Sequence, residues 1–157
     1  MEVTLYQPDI AQNLGAIMRS CACFGVPLSV IEPCGFPLTA KGIRTAAMDY
    51  GAPETLIRYK NWDDFQSRGE STEQNAGRTV LFTTKGATAL TEFTFRPHDT
   101  LLFGRESAGV PESVHSAVDA RVIIPIKANA RSFNLSVSVA IAMFEALRQT
   151  GGLPSHG

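Results

Sequence analysis

The amino-acid sequence predicts an α/β fold, a mostly parallel sheet flanked by helices. Two observations predict it. Segments of strand character alternate with segments of helical periodicity along most of the chain. The later strand segments are continuous apolar runs instead of alternating ones, which is typical of strands buried on both faces. Together they favour a parallel sheet that is covered by helices on each side.

The first half of the chain is predicted to hold three strands and three helices. The strands are expected at residues 2–6, 28–32 and 54–59, and the helices at residues 13–24, 39–49 and 61–68. The first helix follows from apolar side chains at helical spacing. Asn13 and Thr39 stand at the starts of the first two helices as N-caps, because their side chains can accept a backbone N–H, and the third helix is expected to start at Asn61.

The second half continues with three apolar strands and two helices. The strands are expected at residues 79–84, 99–104 and 120–126, and the helices at residues 111–118 and 135–149. Residues 69–78 are polar and lack large apolar side chains, so they are predicted to form a surface loop. Pro111 suits a helix start, since its ring presets the backbone.

Length and composition favour one domain. The chain has 157 residues, of which 44% are hydrophobic and 18% charged. We expect a single domain over residues 1–150 and a flexible tail over residues 151–157. No apolar run approaches the ~18 residues of a membrane span, and the N-terminus lacks signal-peptide features, so a cytoplasmic location is expected. The three cysteines and three histidines show no metal-ligand spacing, and no metal is expected.

Three loops with small or polar residues follow apolar strands in the second half of the chain. They are residues 83–86, 104–109 and 127–134. Parallel sheets bind ligands beyond the carboxyl ends of their strands, and loops of neighbouring strands can converge there. Each glycine in these loops could instead serve turn geometry alone. The three loops together predict a binding site.

The first helix adds one stripe of polar and small residues, Gln12, Gly15 and Arg19, at positions i, i+3 and i+7. Gly15 leaves a notch beside which Arg19 can project, although a solvated surface arginine is the commoner case. The loop after the first strand carries no G-x-G-x-x-G, and residues 104–109 do not match a P-loop. A dinucleotide or ATP site is therefore not favoured.

Three ordered motifs resemble those of the SPOUT methyltransferases, and the resemblance covers almost the whole chain. The motifs are NLGAIMR (residues 13–19), LLFGRESAGVP (101–111) and IPIKANARSFNLSVSVA (124–140). The short chain and the stretches LYQPDIAQN, IEPCGF and DYG are most similar to the minimal members of that family. Those members methylate the ribose 2′-hydroxyl of the wobble nucleotide of tRNA, position 34, a cytidine or modified uridine.

The resemblance implies a trefoil knot in the C-terminal half, a homodimer, S-adenosylmethionine as methyl donor and the tRNA anticodon stem-loop as partner. The donor-binding residues that it implies are Phe82, Thr83, Gly104, Ile124, Ser132 and Leu135. The catalytic residues that it implies are Arg19, Asn13, Glu106, Ser132 and Asn134. In this scheme Arg19 either removes the hydroxyl proton or grips the acceptor, and Asn134 can at the same time be a helix N-cap. Arg105 stands where related sequences often have another residue.

Five basic residues are candidates for the RNA backbone, with ordinary surface charge as the alternative. They are Lys41, Arg44, Lys85, Lys127 and Arg131. With a net charge of −1, RNA binding is expected to be modest and dependent on salt.

The last helix is apolar on two sides, which favours burial against its own sheet on one side and a partner subunit on the other. Other functions stay open at this point. They are ribose methylation at another tRNA or rRNA site, a non-catalytic RNA-binding dimer, and base methylation through Cys21 or Cys23.

Overall fold

The computed structural model describes residues 1–48, 55–69, 77–85 and 88–156. In chain order the elements are β1 (Glu2–Tyr6), α1 (Ala11–Phe24), β2 (Leu28–Ile31), α2 (Ala40–Ala47), β3 (Leu56–Tyr59), α3 (Trp62–Gln66), a 3₁₀ turn (Ser67–Gly69), β4 (Thr79–Phe82), β5 (Thr88–Ala89), β6 (Thr100–Phe103), α4 (Glu112–Ala117), β7 (Ala120–Ile123) and α5 (Leu135–Thr150). Within the described ranges, no helix has the length and apolar character needed to span a membrane.

The strands form one sheet in the order β3-β2-β1-β6-β4-β7-β5, and every neighbouring pair is parallel. At the centre, Leu5 of β1 lies beside Val30 of β2 on one side and Phe103 of β6 on the other. These three residues are at most 2% exposed. The predicted parallel sheet with helices around it is confirmed.

Apolar clusters lie on both faces of the sheet, which is why the strands read as continuous apolar runs. One cluster joins α1, α2 and α5 to the sheet, with Ile17 and Met143 fully buried. The other joins α3 and α4 to the opposite face through Phe65 and Val114. Burial of each large side chain removes it from water and stabilises the fold by roughly 1.5–3 kcal/mol.

Gly15 of α1 is the point at which α1 meets α2. A Cβ built on Gly15 would stand 2.0 Å from the carbonyl oxygen of Ala46, so only glycine permits this close approach. The notch expected at Gly15 is therefore filled by the backbone of α2 and is no opening beside Arg19.

The predicted N-caps have different outcomes. Thr39 accepts the N–H of Gly42 and caps α2, so that prediction is confirmed. Asn61, the expected start of the third helix, is the N-cap of α3 and accepts the N–H of Asp64. Asn134 accepts the N–H of Ser136 and caps α5. The prediction for Asn13 is wrong. Helix α1 begins two residues earlier, at Ala11, because the side chain of Asn13 is held by tertiary contacts instead of by the helix end.

Strands β1 and β3 end at their predicted limits, and β2, β4, β6 and β7 end one to three residues before them. The residues beyond the ends of β4, β6 and β7 lie at the carboxyl edge of the sheet and are 83–84, 104 and 124–126. The sequence does not show where each strand ends and its loop begins, because the residue types on both sides of the boundary are similar. The two-residue strand β5 was not predicted, because so short a segment has no detectable period. The predicted start of the third strand at residue 54, the helix end at residue 49, Gly86 and most of the loop at 69–78 lie outside the described residues.

Candidate active site

The cleft at the carboxyl edge of β4, β6 and β7 has a volume of about 580 Å³. Its walls come from residues 81–85 at and after the end of β4, from residues 103–106 and 108–110 at and after the end of β6, and from residues 124, 126, 131–135 and 138, which lie between the end of β7 and the first turn of α5. These are the described parts of the three loops singled out in the sequence, and they lie together. The volume is within the usual range for small-molecule sites, roughly 300–1,000 Å³.

Most of the predicted site residues line this cleft, and some do not. Those that line it are Asn13, Phe82, Thr83, Lys85, Gly104, Glu106, Ile124, Arg131, Ser132, Asn134 and Leu135. Those outside it are Arg19, Lys41, Arg44 and Lys127. The four residues outside the cleft are exposed; Arg19 lies on α1, and Lys41 and Arg44 lie on α2. Arg19, which is expected either to remove the hydroxyl proton or to grip the acceptor, is therefore not part of the cleft of its own chain.

Glu106 is the central anchor of the site. Its Oε2 accepts the backbone N–H of Asp9 at 2.7 Å, and its Oε1 accepts the N–H of Ile10 at 3.3 Å. The same Oε1 accepts the side-chain amide of Asn13 at 3.2 Å. One carboxylate thus ties the loop after β6 to the start of α1. Such charge-assisted hydrogen bonds are stronger than neutral ones.

Asn13 extends this connection to the last helix. Its Oδ1 accepts the Nδ2 of Asn134 at 3.0 Å, and it is only 7% exposed. The Oδ1 of Asn134 in turn accepts both the backbone N–H and the hydroxyl of Ser136. A continuous hydrogen-bonded chain from Glu106 to Ser136 therefore fixes the loop after β6, the start of α1 and the start of α5 relative to one another.

The β4 side of the cleft carries its apolar wall. The ring of Phe82 stacks on that of Phe103, with centroids 4.8 Å apart and planes 9° apart. Phe95 stacks on the far side of Phe82 at 6.3 Å. Ile124 and Leu135 add half-buried aliphatic side chains to the lining. A flat apolar surface with backbone polar groups beside it suits a purine ring.

The loop after β6 is closed by its own backbone. Arg105 and Gly109 exchange two N–H···O=C bonds of 2.9 and 3.0 Å. Gly109 has φ of +63°, and a Cβ on Gly104 would stand 2.6 Å from the carbonyl carbon of Gly109. The two glycines are therefore needed for the loop itself. Asp9 holds the loop from outside, because its Oδ2 accepts the backbone N–H and the hydroxyl of Ser107. These two hydrogen bonds lower the pKa of the Asp9 carboxyl group.

Two titratable residues that line the cleft, His115 and Arg105, were not among the predicted site residues. His115 of α4 is 7% exposed, and its Nε2 lies 3.5 Å from the Oγ1 of Thr83. A histidine on a short helix gives no sequence signal of this contact, which depends on how α4 packs. Arg105 donates through Nη2 to Oε1 of Gln7, and its guanidinium lies 5.6 Å from the centre of the Tyr6 ring.

The chemistry of the cysteines does not favour base methylation through a thiolate. Burial raises the pKa of Cys21 to about 12, so its thiol stays protonated at neutral pH. Cys23 is exposed on α1, outside the cleft. Over the described ranges, no three histidine, cysteine or acidic side chains group closely enough to hold a metal ion.

The sequence matches the model of the SpoU rRNA Methylase family over residues 1–144. The chain belongs to that family, and the resemblance to SPOUT methyltransferases is confirmed. It is 48% identical over 151 residues to a tRNA (cytidine(34)-2′-O)-methyltransferase of Beijerinckia indica, covering 96% of this chain and 92% of that protein. Its identity to the enzyme of that name from Escherichia coli K12 is 35% over 153 residues, covering 96% and 94%.

Solved structures share this fold. One, concerned with the 2-OH methylation of C/U34 on tRNA, superposes with a TM-score of 0.84 at 37% identity, covering 94% of both chains. An AdoMet-bound rRNA methyltransferase from Sinorhizobium meliloti superposes with a TM-score of 0.79 at 25% identity. That match covers 94% of this chain and 55% of the other, so the present chain corresponds to about half of the larger enzyme.

Proposed function

We propose that this protein transfers the methyl group of S-adenosylmethionine to the ribose 2′-hydroxyl of nucleotide 34 of tRNA, a cytidine or modified uridine. The observation that carries the proposal is the 48% identity, over nearly the full length of both chains, to a tRNA (cytidine(34)-2′-O)-methyltransferase. The cleft at the carboxyl edge of the sheet is consistent with it, because it offers an apolar wall and a closed glycine loop side by side.

The cleft residues fit the donor. S-adenosylmethionine, when bound, supplies a methyl group on a positively charged sulfur, which a nucleophile can remove directly. Phe82, Ile124 and Leu135 would enclose its adenosine, and Thr83 and Ser132 offer hydroxyl groups at the same walls. Gly104 begins the loop that brings backbone groups to the ligand. The cleft presents no phosphate-binding glycine motif, and the donor carries no phosphate.

Glu106 and Asn13 act by positioning in this proposal. Glu106 already accepts three N–H groups and Asn13 is hydrogen-bonded at both ends, so neither has the open geometry of a proton acceptor. Their effect is to hold the start of α1 and the start of α5 against the donor loop. Pre-organised geometry of this kind accelerates transfer because the reacting atoms are held in line.

Arg19 acts on the acceptor, and a second copy of the chain brings it there. It lies on α1 outside its own cleft, so it can reach an active site only across a subunit interface. The face formed by α1 and α5 supports such an interface. Phe144 is 49% and Val137 44% exposed, and Phe144 contacts Phe24 of α1 edge-on. Exposed apolar side chains that lie together on a surface are typical of a contact with another protein.

The remaining expectations belong to the same proposal. The trefoil knot in the C-terminal half rests on the close superposition with structures of this family. The single domain with a short tail, the cytoplasmic location and the absence of a metal rest on composition and on the match to nearly full-length relatives. Lys85 and Arg131 at the cleft, with Lys41, Arg44 and Lys127 outside it, are proposed to contact the anticodon stem-loop.

Labelled methyl donor and total tRNA from a strain that lacks the enzyme test the function directly. The expected product is a single labelled nucleotide at position 34, whose 2′-O-methyl group makes the following phosphodiester resist alkali. Label in a base, or labelling of ribosomal RNA in preference to tRNA, would contradict the proposal. Calorimetry with S-adenosylmethionine separates an enzyme from a non-catalytic RNA-binding dimer, since only the enzyme requires the donor.

A further inference from the structure

Arg105 is the feature of the cleft that the proposed reaction does not yet use. It is half-buried in the loop after β6 and lines the cleft. Its Nε is buried and has no hydrogen-bond partner among the described residues. Among these residues its guanidinium also forms no ion pair with a carboxylate, unlike the guanidinium groups of Arg58, Arg68, Arg78 and Arg148.

A half-buried cation that forms no ion pair is costly, because it loses hydration that no close opposite charge replaces. The neighbouring groups compensate only in part, since the carboxylate of Asp9 attracts the guanidinium electrostatically without pairing with it. Nη2 donates to the neutral amide of Gln7, and the ring of Tyr6 lies 5.6 Å from the guanidinium carbon. Unsatisfied buried groups of this kind in a folded protein often indicate a missing ligand. The ligand that would satisfy Arg105 is an anion.

The order of the strands in the sheet indicates which anion can bind to Arg105. The apolar walls proposed for the donor come from β4, β7 and α5. Arg105 leaves β6 in the other direction, toward Tyr6 and Gln7 at the end of β1, which is the neighbour of β6 on the side away from β4. The guanidinium thus lies toward β1, on the side of β6 away from the walls proposed for the donor. Planar guanidinium groups bind phosphate oxygens in a forked geometry that lysine cannot reproduce.

We propose that Arg105 binds a backbone phosphate of the RNA next to the ribose that is methylated. The inference rests on the proposed function, because it names a contact for the same acceptor. It gives the cleft its own RNA contact, in addition to the exposed lysines and arginines, and makes part of the RNA affinity depend on a residue at which this chain departs from the usual motif.

The test compares Arg105→Gln with the wild-type protein, with tRNA as the varied substrate. We expect kcat/KM for tRNA to fall roughly tenfold, as for loss of one charge-assisted phosphate contact. The slope of log kcat/KM against log salt should become shallower by about one unit or slightly less. The Kd for S-adenosylmethionine, measured by calorimetry without RNA, should stay unchanged. Arg105→Lys should restore the salt slope but not the full kcat/KM.

Two controls separate this role from others. Arg96→Gln removes the same charge from an exposed position at the amino ends of the strands and should leave both readouts at wild-type values. Gln7→Asn shortens the residue that holds Arg105 and keeps a side chain that tolerates the φ of +45° at this position. If Arg105 only anchored the loop through Gln7, Gln7→Asn would reproduce the full effect of Arg105→Gln, and the inference would be wrong.

Each further outcome has a separate meaning. An unchanged salt slope in Arg105→Gln overturns the phosphate contact. Equal loss of donor affinity and tRNA kcat/KM overturns it as well, because the guanidinium would then serve the donor carboxylate. If Arg105→Gln does not fold, Arg105→Lys takes its place in the test. A larger relative loss of kcat/KM for tRNA than of affinity for S-adenosylmethionine in Arg105→Lys supports the contact. If the wild-type protein does not methylate tRNA at all, the proposed function fails first, whatever the variants do.

Discussion

Glu106→Gln tests whether the carboxylate at the centre of the cleft acts by holding the elements together. Glu106 accepts three N–H groups through two oxygens. Glutamine keeps only one acceptor oxygen. If that oxygen takes the place of Oε1, the bonds from Ile10 and Asn13 persist, and the 2.7 Å bond from the N–H of Asp9 is lost. The new NH₂ group then faces that N–H, donor against donor.

The structure gives the size of this loss. A hydrogen bond to a charged acceptor contributes roughly 1.5–3 kcal/mol, and Glu106 is only half-buried, so we expect a destabilisation of about 2 kcal/mol. For a chain of this length that corresponds to a fall in Tm of roughly 4–8 °C. Because the same carboxylate orders the starts of α1 and α5, the affinity for S-adenosylmethionine and kcat/KM should fall with it.

Thermal unfolding at one fixed protein concentration measures the effect, since the proposed homodimer would unfold in a concentration-dependent way. Glu92→Gln, an exposed acidic residue in the turn after β5, is the control and should change stability by less than about 0.5 kcal/mol. Two results would refute the reasoning. A Glu106→Gln protein of wild-type stability would show that the three bonds do not anchor the site. Wild-type stability with lost turnover would mean that Glu106 acts on the reacting atoms instead.

Three further outcomes are expected. Arg19→Lys should lower kcat at least tenfold, in line with the 10²–10⁴-fold worth of positioned proton transfer, without changing the calorimetric Kd for the donor; wild-type turnover would exclude both proposed roles of Arg19. Phe144→Glu should convert the dimer to monomers in sedimentation and abolish turnover, and an active monomer would contradict the shared site. Glu145 has a pKa of about 2, below its ordinary 4.5, mainly because Arg148 hydrogen-bonds to it. This carboxylate should therefore stabilise the fold above pH 4.5 and lose that effect as the pH falls toward 2. Glu145→Gln should cost less than about 1 kcal/mol at neutral pH, with a difference from wild type that vanishes in acid; a difference that grows in acid would contradict this sign.

The sequence by itself determined the alternation of strands and helices, the parallel sheet and the loops in which a site would lie. These features are local. Leu81 and Leu102 reveal buried strands because their neighbours are apolar as well, and Thr39 reveals a helix start because its cap bond spans three residues. The three motifs also identify the family, because each is a short run of contiguous residues.

Only the tertiary structure decided how the site residues meet. Asn13 reads as a helix cap, yet it bonds to Glu106 across 93 positions of sequence and to Asn134 across 121. Such pairs depend on β6 lying between β1 and β4, an order that no local pattern encodes. The same order carries Arg105 toward β1 and brings His115 beside Thr83. Periodicity reports which side chains are buried, but the partner of a buried polar group is set by the packing of segments far apart in the chain.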